Sequence, residues 1–201
     1  NEILLDVIAL QPTATAFHSL KNRFGEDIEG IKGEIIRIVE EKGKFQDPLT
    51  KSGGMLIGKV DKIGEAVADK VATLVSLSLT PLKIDEIYDI NLDTEQVFCR
   101  AKAVIFESGL YTRIPDDLGE ELSLAIMDVA GAPAQVSMNA RAGDTVCIIG
   151  AGKAGMLSLA EAKKRVSPHG RTICMEYSEK QCDTIRELGL ADCVIQGNAQ
   201  N

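Results

Sequence analysis

The sequence predicts an α/β protein. A curved, barrel-like β domain occupies residues 1–110, with an inserted helix near 27–42, and a partial doubly wound domain occupies 111–201. Three observations predict it. Strand-like segments punctuated by Gly53, Gly54, Gly58 and Gly64 fill 52–91, as curved sheets with bulges do. The β-branched run Thr145-Val146-Cys147-Ile148-Ile149 leads straight into G-x-G-x-x-G at Gly150, Gly152 and Gly155, and a helical pattern follows. A second strand, Arg171 to Met175, then ends on Glu176, about 20 residues past the last motif glycine.

In chain order, residues 2–9 form the first strand, and Gln11-Pro12-Thr13-Ala14-Thr15 reads as a polar turn. Between Asp27 and Lys42 the period becomes helical. Ile28, Ile31, Ile35 and Ile38 share one face, and Gly43 stops the helix. Gly30 and Gly33 weaken it by roughly 1 kcal/mol each relative to alanine, so it needs a surface to pack on. Met55–Val60, Lys70–Val75, Leu82–Ile90 and Ala103–Phe106 read as strands. After Ile114-Pro115-Asp116-Asp117 a helix is expected from about Leu118 to Val129, interrupted by Gly131 and Pro133, with a second piece at Val136–Asn139. Beyond Glu176 come a helix at Glu179–Leu188 and a strand at Cys193–Ile195. This β-α-β-α-β order is one half of a doubly wound sheet, so residues are expected to be missing at both ends.

The bulk properties narrow the function. Of 201 residues, 45% are apolar and 26% charged, an ordinary globular balance. A net charge of −8 argues against nucleic acid, whose partners carry basic faces. No apolar run approaches the roughly 20 residues that span a bilayer, so no membrane role is expected. Cys99, Cys147, Cys174, Cys182 and Cys193 are odd in number and irregularly spaced, which fits reduced thiols in the cytoplasm.

The glycine motif carries a mechanism. Gly150 allows the tight turn, Gly152 lets a pyrophosphate approach the backbone, and Gly155 lets the helix lie close to the strand. Amides around Lys153 and Ala154 at the helix start suit phosphate. Glu176, with Tyr177 and Ser178 beside it, is expected to meet the ribose, which favours NAD over NADP. Lys180, four residues on, softens that preference.

This arrangement resembles the medium-chain dehydrogenase/reductase superfamily, in which a GroES-like β-barrel domain precedes a Rossmann cofactor-binding domain. Gly53 to Gly64 is similar to its glycine-rich block, Asp69-Lys70-Val71 to its GD-x-V strand, and Ala142-Gly143-Asp144-Thr145-Val146 to the segment leading into its cofactor domain. The departures concern zinc. Zinc-dependent relatives carry Gly-His-Glu where this chain has Gly53-Gly54-Met55, a cysteine ligand near Thr13 and a further ligand near Ala130. The cluster of four close cysteines is missing too, and the only histidines are His18 and His169. No zinc is therefore expected, since zinc needs about four converging ligands.

Longer strings are more specific. Ser52–Gly58, Val71–Pro81, Phe106-Glu107-Ser108-Gly109 and Met127–Val136 resemble the L-erythro-3,5-diaminohexanoate dehydrogenase family of lysine fermentation, as does the inserted helix. The resemblance implies NAD-dependent oxidative deamination of the 3-amino group to 5-amino-3-oxohexanoate, with ammonia and NADH as products. A zinc-free quinone or enoyl reductase, or an inactive nucleotide-binding relative, are the alternatives. The implied partners are a small diamino acid and a second copy of the chain in a homodimer or higher homo-oligomer.

Amine oxidation makes its own demands. An alkylammonium has a pKa of about 10, so about one molecule in a thousand is free amine at neutral pH, a deficit of roughly 4 kcal/mol. The site needs a base near the amine, acceptors for the second ammonium and a donor for the carboxylate. Asp128 is the first candidate for base or anchor, because it precedes the Ala130 position that faces the nicotinamide in zinc relatives; an Asp bonding backbone at a helix break is the plain alternative. Glu107 with Ser108, on a polar turn after an apolar strand, is the second, with a solvated surface pair as the plain alternative. Thr13 and Thr15 match the positions of a zinc ligand and a proton-relay hydroxyl in those relatives, and either orient water or cap the turn. His18 and His169 are read as structural, while Arg113 and Lys51 either meet the substrate carboxylate or are ordinary surface charges.

Overall fold

A computed structural model describes residues 2–62 and 70–199. The chain divides into two compact units, 1–128 and 129–201. The division falls later than the expected boundary at 110, because a short strand beyond that point pairs in the first sheet and the helix after it packs on that sheet.

Among the described residues of the first unit, six strands form one antiparallel sheet in the order β4-β5-β1-β2-β3-β6. They are β1 (Ile3–Pro12), β2 (Gly54–Lys62), β3 (Lys70–Thr73), β4 (Leu82–Asn91), β5 (Gln96–Ile105) and β6 (Tyr111–Arg113). Both pairings of β1 slip between Val7 and Ala9, a bulge that bends the central strand. Gly64 and Asp69 of the expected glycine block and GD-x-V strand lie outside the described residues.

The polar turn expected at 11–15 is a correction. Gln11 and Pro12 finish β1, and Thr13 caps a helix, α1 (Ala14–Phe24). The Thr13 hydroxyl accepts from the Ala16 amide at 3.2 Å, and Ala16, Phe17 and Leu20 are buried. The inserted helix appears as α2 (Ile28–Lys42), capped by Asp27 and closed by Gly43 in the left-handed region. It buries Ile31, Ile35, Ile38 and Val39 in the same core as Leu5, Leu10 and Phe17. At about 1.5–3 kcal/mol per buried aliphatic side chain, that face outweighs its two glycines. Helix α3 (Glu120–Met127) closes the unit, with Leu124 packed against Met55 and Ile57 of β2.

The second unit holds α4 (Gly131–Asn139), β7 (Thr145–Ile149), α5 (Lys153–Val166), β8 (Arg171–Glu176), α6 (Glu179–Glu187) and β9 (Cys193–Gln196). Its described strands are parallel, in the order β7-β8-β9. Gly131 and Pro133 do not interrupt a helix as expected; they lie in the first turn of α4, where the proline's missing N–H has no intrahelical partner to lose. Ala151, Leu159, Cys174 and Ile185 form the core. Among the described residues no helix is long and apolar enough to cross a membrane.

Candidate functional site

The glycine loop has the geometry its spacing implies. Strand β7 delivers the chain to Gly150, which sits at φ +92° and donates its amide to the Met175 carbonyl at 2.8 Å. Gly152 then caps α5 without a side-chain hydrogen bond, so the donors of the helix N-terminus suit an anion. A Cβ on Gly152 would meet nothing within 4 Å, leaving the backbone approachable there. A Cβ on Gly155 would stand 1.9 Å from the Gly150 oxygen, so only glycine lets α5 cross the loop this closely.

Glu176 braces this loop. One carboxylate oxygen accepts from the Ala151 amide at 2.6 Å and the other from the Ser178 amide at 2.8 Å. Those amides, Ser178 first and then Ala151, hold its pKa below the usual carboxylate range against the opposing effect of burial. The Tyr177 amide bonds it as well, and of the roughly four acceptor directions of a carboxylate that leaves room for a ribose hydroxyl. Tyr177 is exposed, and Ser178 caps α6 by accepting from the Gln181 amide. These residues fit a dinucleotide: the open face of Gly152 is where a pyrophosphate would approach, and Glu176 stands beside the loop.

In the first unit, a cleft of about 250 Å³ is lined by Thr13, Gly54, Met55, Thr73, Leu74, Val75, Ser76, Met127 and Asp128. Thr13 and Asp128, far apart in sequence, thus share one wall system. Asp128 takes helical dihedrals at the end of α3, where its amide bonds the Leu124 carbonyl at 3.4 Å. Ser76, which the sequence did not single out, belongs to a hydroxyl-rich loop. Its Oγ lies 2.9 Å from Ser78 Oγ and accepts from the Ser78 amide, and Leu77 ties the loop to the Gly54 carbonyl at 2.8 Å.

Gly54 occupies the position where zinc relatives place histidine. It sits at φ +126°, and a Cβ there would fall 2.0 Å from the Gln11 carbonyl oxygen and 2.8 Å from the Thr13 nitrogen. The backbone at this position leaves no room for a side chain. Among the described residues no group of three or more His, Cys, Asp or Glu side chains is arranged to hold a metal ion.

The other candidates lie elsewhere. Thr15 is exposed and lines a shallow cleft with His18, Asn22 and Arg23. Residues two apart on a helix do not face the same way, which separates it from Thr13. Glu107 and Ser108 line a concavity with Glu2 and Phe106. His169 and Lys51 are exposed. A wider concavity, about 740 Å³, is lined by Lys70, Arg113, Asp116 and Glu120 among others, but Lys70 pairs with Glu120 and Arg113 with Asp116. With these four charges engaged with one another, it suits a ligand less well than the smaller cleft of Thr13, Ser76 and Asp128.

Comparison with known proteins bears on both units. The profile of the L-erythro-3,5-diaminohexanoate dehydrogenase N-terminal domain matches residues 1–115. Two relatives named L-erythro-3,5-diaminohexanoate dehydrogenase are similar to the chain. One, from Acetoanaerobium sticklandii, is 49% identical over 100% of this chain and 61% of its own length. The other, from Fusobacterium nucleatum, is 50% identical over 90% of this chain and 55% of its own length. The chain therefore spans a little over half the length of each. Among solved structures, a probable oxidoreductase from Mycobacterium abscessus superposes with a TM-score of 0.57 over 99% of this chain and 53% of that one, at 16% identity. That likeness concerns the fold, which is the one the medium-chain dehydrogenase/reductase resemblance implied.

Proposed function

The chain belongs to the L-erythro-3,5-diaminohexanoate dehydrogenase family, and from that premise we propose that it serves the NAD-dependent oxidative deamination of a 3,5-diamino acid in lysine degradation. The observation that carries this reading is the 49% identity to a dehydrogenase of that name over the whole chain. Gly150, Gly152, Lys153, Ala154 and Gly155 would hold the pyrophosphate, and Glu176, Tyr177 and Ser178 the adenosine ribose. When bound, the nicotinamide supplies the acceptor for the hydride that leaves the amine-bearing carbon.

The protein's own part is to bind an ammonium and take its proton. Asp128 is the anchor or base, and the hydroxyls of Thr13 and Ser76 add acceptors on the same cleft. An acceptor-rich cleft stabilises an ammonium on arrival, and a carboxylate beside it gives the proton somewhere to go. Thr15 and Glu107 lie at other clefts and have no part in this reading. The reaction is proposed to need no zinc, because the Gly54 backbone excludes a ligand side chain and Thr13 replaces the cysteine of zinc relatives. A cytoplasmic homo-oligomer remains the expected form.

The test is a substrate panel on the full-length protein. NADH formation and ammonia release are followed with L-erythro-3,5-diaminohexanoate, lysine, 3-aminobutyrate and simple alcohols. The proposal expects both products from the diamino acid and neither from the alcohols. Turnover of an alcohol or a quinone in preference to the diamino acid would reject it.

A further inference from the structure

A line of hydroxyls runs from the cleft into the first unit's interior. Thr13 Oγ1 lies 3.0 Å from Ser52 Oγ, Ser52 Oγ lies 2.7 Å from Thr50 Oγ1, and Thr50 Oγ1 lies 3.0 Å from Asp47 Oδ1. The inner end is fully buried. Asp47 also accepts from the Leu49 and Thr50 amides, from Ser19 Oγ at 3.2 Å and from Arg23 Nη2 at 2.8 Å. Burial alone would raise its pKa, but the Thr50 amide and hydroxyl, the Leu49 amide and Ser19 together hold it below the usual range.

An ionised carboxylate can only accept, and that fixes the direction of every bond in the line. Thr50 must give its hydrogen to Asp47, so Thr50 Oγ1 accepts the hydrogen of Ser52. Ser52 Oγ in turn accepts the hydrogen of Thr13. Thr13 Oγ1 also accepts from the Ala16 amide, which leaves it one lone pair and no hydrogen. An isolated threonine could offer a ligand either role; this one can offer only an acceptor.

We infer that the Asp47–Thr50–Ser52–Thr13 line locks Thr13 as an acceptor, so that the Thr13–Asp128 cleft selects an amine or ammonium and disfavours a carbonyl oxygen. Thr13 is the ligand contact, and Thr50 and Ser52 are positioning residues that act through it. The inference deepens the proposed deamination and rests on it for its biological meaning. There the substrate brings N–H donors and the product brings a ketone oxygen, so the line favours binding of the first and departure of the second.

Thr50→Val cuts the line beside Asp47 with little change in volume, and Thr50→Ser keeps it. Binding of 3-aminobutyrate and 3-oxobutyrate to the full-length protein is measured by calorimetry, beside a thermal unfolding scan of each variant. Wild type should prefer the amine. Thr50→Val should narrow the amine-to-ketone ratio by about tenfold, since a freed Thr13 hydroxyl can turn its hydrogen to the ketone. Thr50→Ser should restore the ratio. Ser52→Ala cuts the next link and should repeat the narrowing, which covers the case in which Thr50→Val does not fold. An unchanged ratio in a folded variant, a parallel loss of both ligands, or no amine binding by wild type would overturn the inference. Diamino acid turnover is scored separately: a correct ratio in a protein that deaminates nothing would reject the proposed reaction and leave this polarity standing.

Discussion

Alanine at two neighbouring glycines should separate the fold of the cofactor loop from its function. At Gly155, the added methyl would stand 1.9 Å from the Gly150 oxygen and 2.9 Å from its carbon, about 1.5 Å short of van der Waals contact with the oxygen. The obstacle is backbone, so α5 must shift. Overpacking of that kind costs about 1–3 kcal/mol, and the upper part of the range applies because no side chain can give way. At Gly152 the methyl would meet nothing within 4 Å, and the backbone at φ −68° suits alanine. Stability there should hold within about 0.5 kcal/mol. The same methyl would stand over the approach to the α5 N-terminus, and NAD affinity should fall at least about tenfold, or 1.4 kcal/mol. Urea unfolding and NAD calorimetry on each full-length variant give the two readouts. Gly152→Ala binding NAD as tightly as wild type, or Gly155→Ala unfolding at the wild-type midpoint, would refute the argument.

Asp47→Asn should destabilise the first unit by about 3 kcal/mol, because Arg23 and Ser19 lose a buried anionic acceptor. The sign of its pH dependence follows from a depressed folded pKa: the stabilisation is present above the unfolded value near ~3.9 and is lost as pH falls through the folded value. Acid unfolding curves of wild type and variant should therefore converge at low pH, and parallel curves would contradict this. Gly54→His should lower the melting temperature without bringing stoichiometric zinc into the purified protein, since the new Cβ collides with Gln11 before its imidazole can reach any ligand set; a stable, zinc-loaded variant would disprove the reading. Wild type should use NAD over NADP by about tenfold in kcat/KM, and Glu176→Gln should erode that preference. Equal use of NADP by wild type would remove the ribose role of Glu176.

How much of this was legible in the sequence follows from what kind of signal each element leaves. From β7 onward the second unit was readable almost to the residue, because Thr145–Ile149 and Arg171–Glu176 are short strands rich in β-branched and apolar residues, the first running into a glycine turn and each followed by a helix. Helix α2 announced itself through isoleucines at helical spacing. Helix α1 was hidden because Pro12, Thr13 and Thr15 read as a turn, although the Thr13 cap followed by Ala16, Phe17 and Leu20 was a signal that could have found it. Strand β6 has three residues, too few to show a period; its pairing with β3 also holds 111–113 in the first unit. The start of α4 was misread because Gly131 and Pro133 act as breakers only inside a helix, not in its first turn.

The candidate site was legible only where local chemistry marks it. The glycine loop and Glu176 needed no long-range information. Thr13 and Asp128 could be placed only by analogy with relatives, and the analogy also raised Thr15, which helix geometry turns away. The line through Ser52, Thr50 and Asp47 left no trace in sequence, since it joins α1 to a loop almost forty residues on, and single hydroxyls carry no periodicity.

The central question is whether an acceptor-lined cleft without a metal serves amine oxidation. The direct measurement is the ratio of ammonia to NADH released from L-erythro-3,5-diaminohexanoate by the full-length protein, before and after exhaustive chelation. Equal amounts of the two products, unchanged by chelation, are the expected result. NADH without ammonia, or activity that disappears with the chelator and returns with zinc, would contradict it.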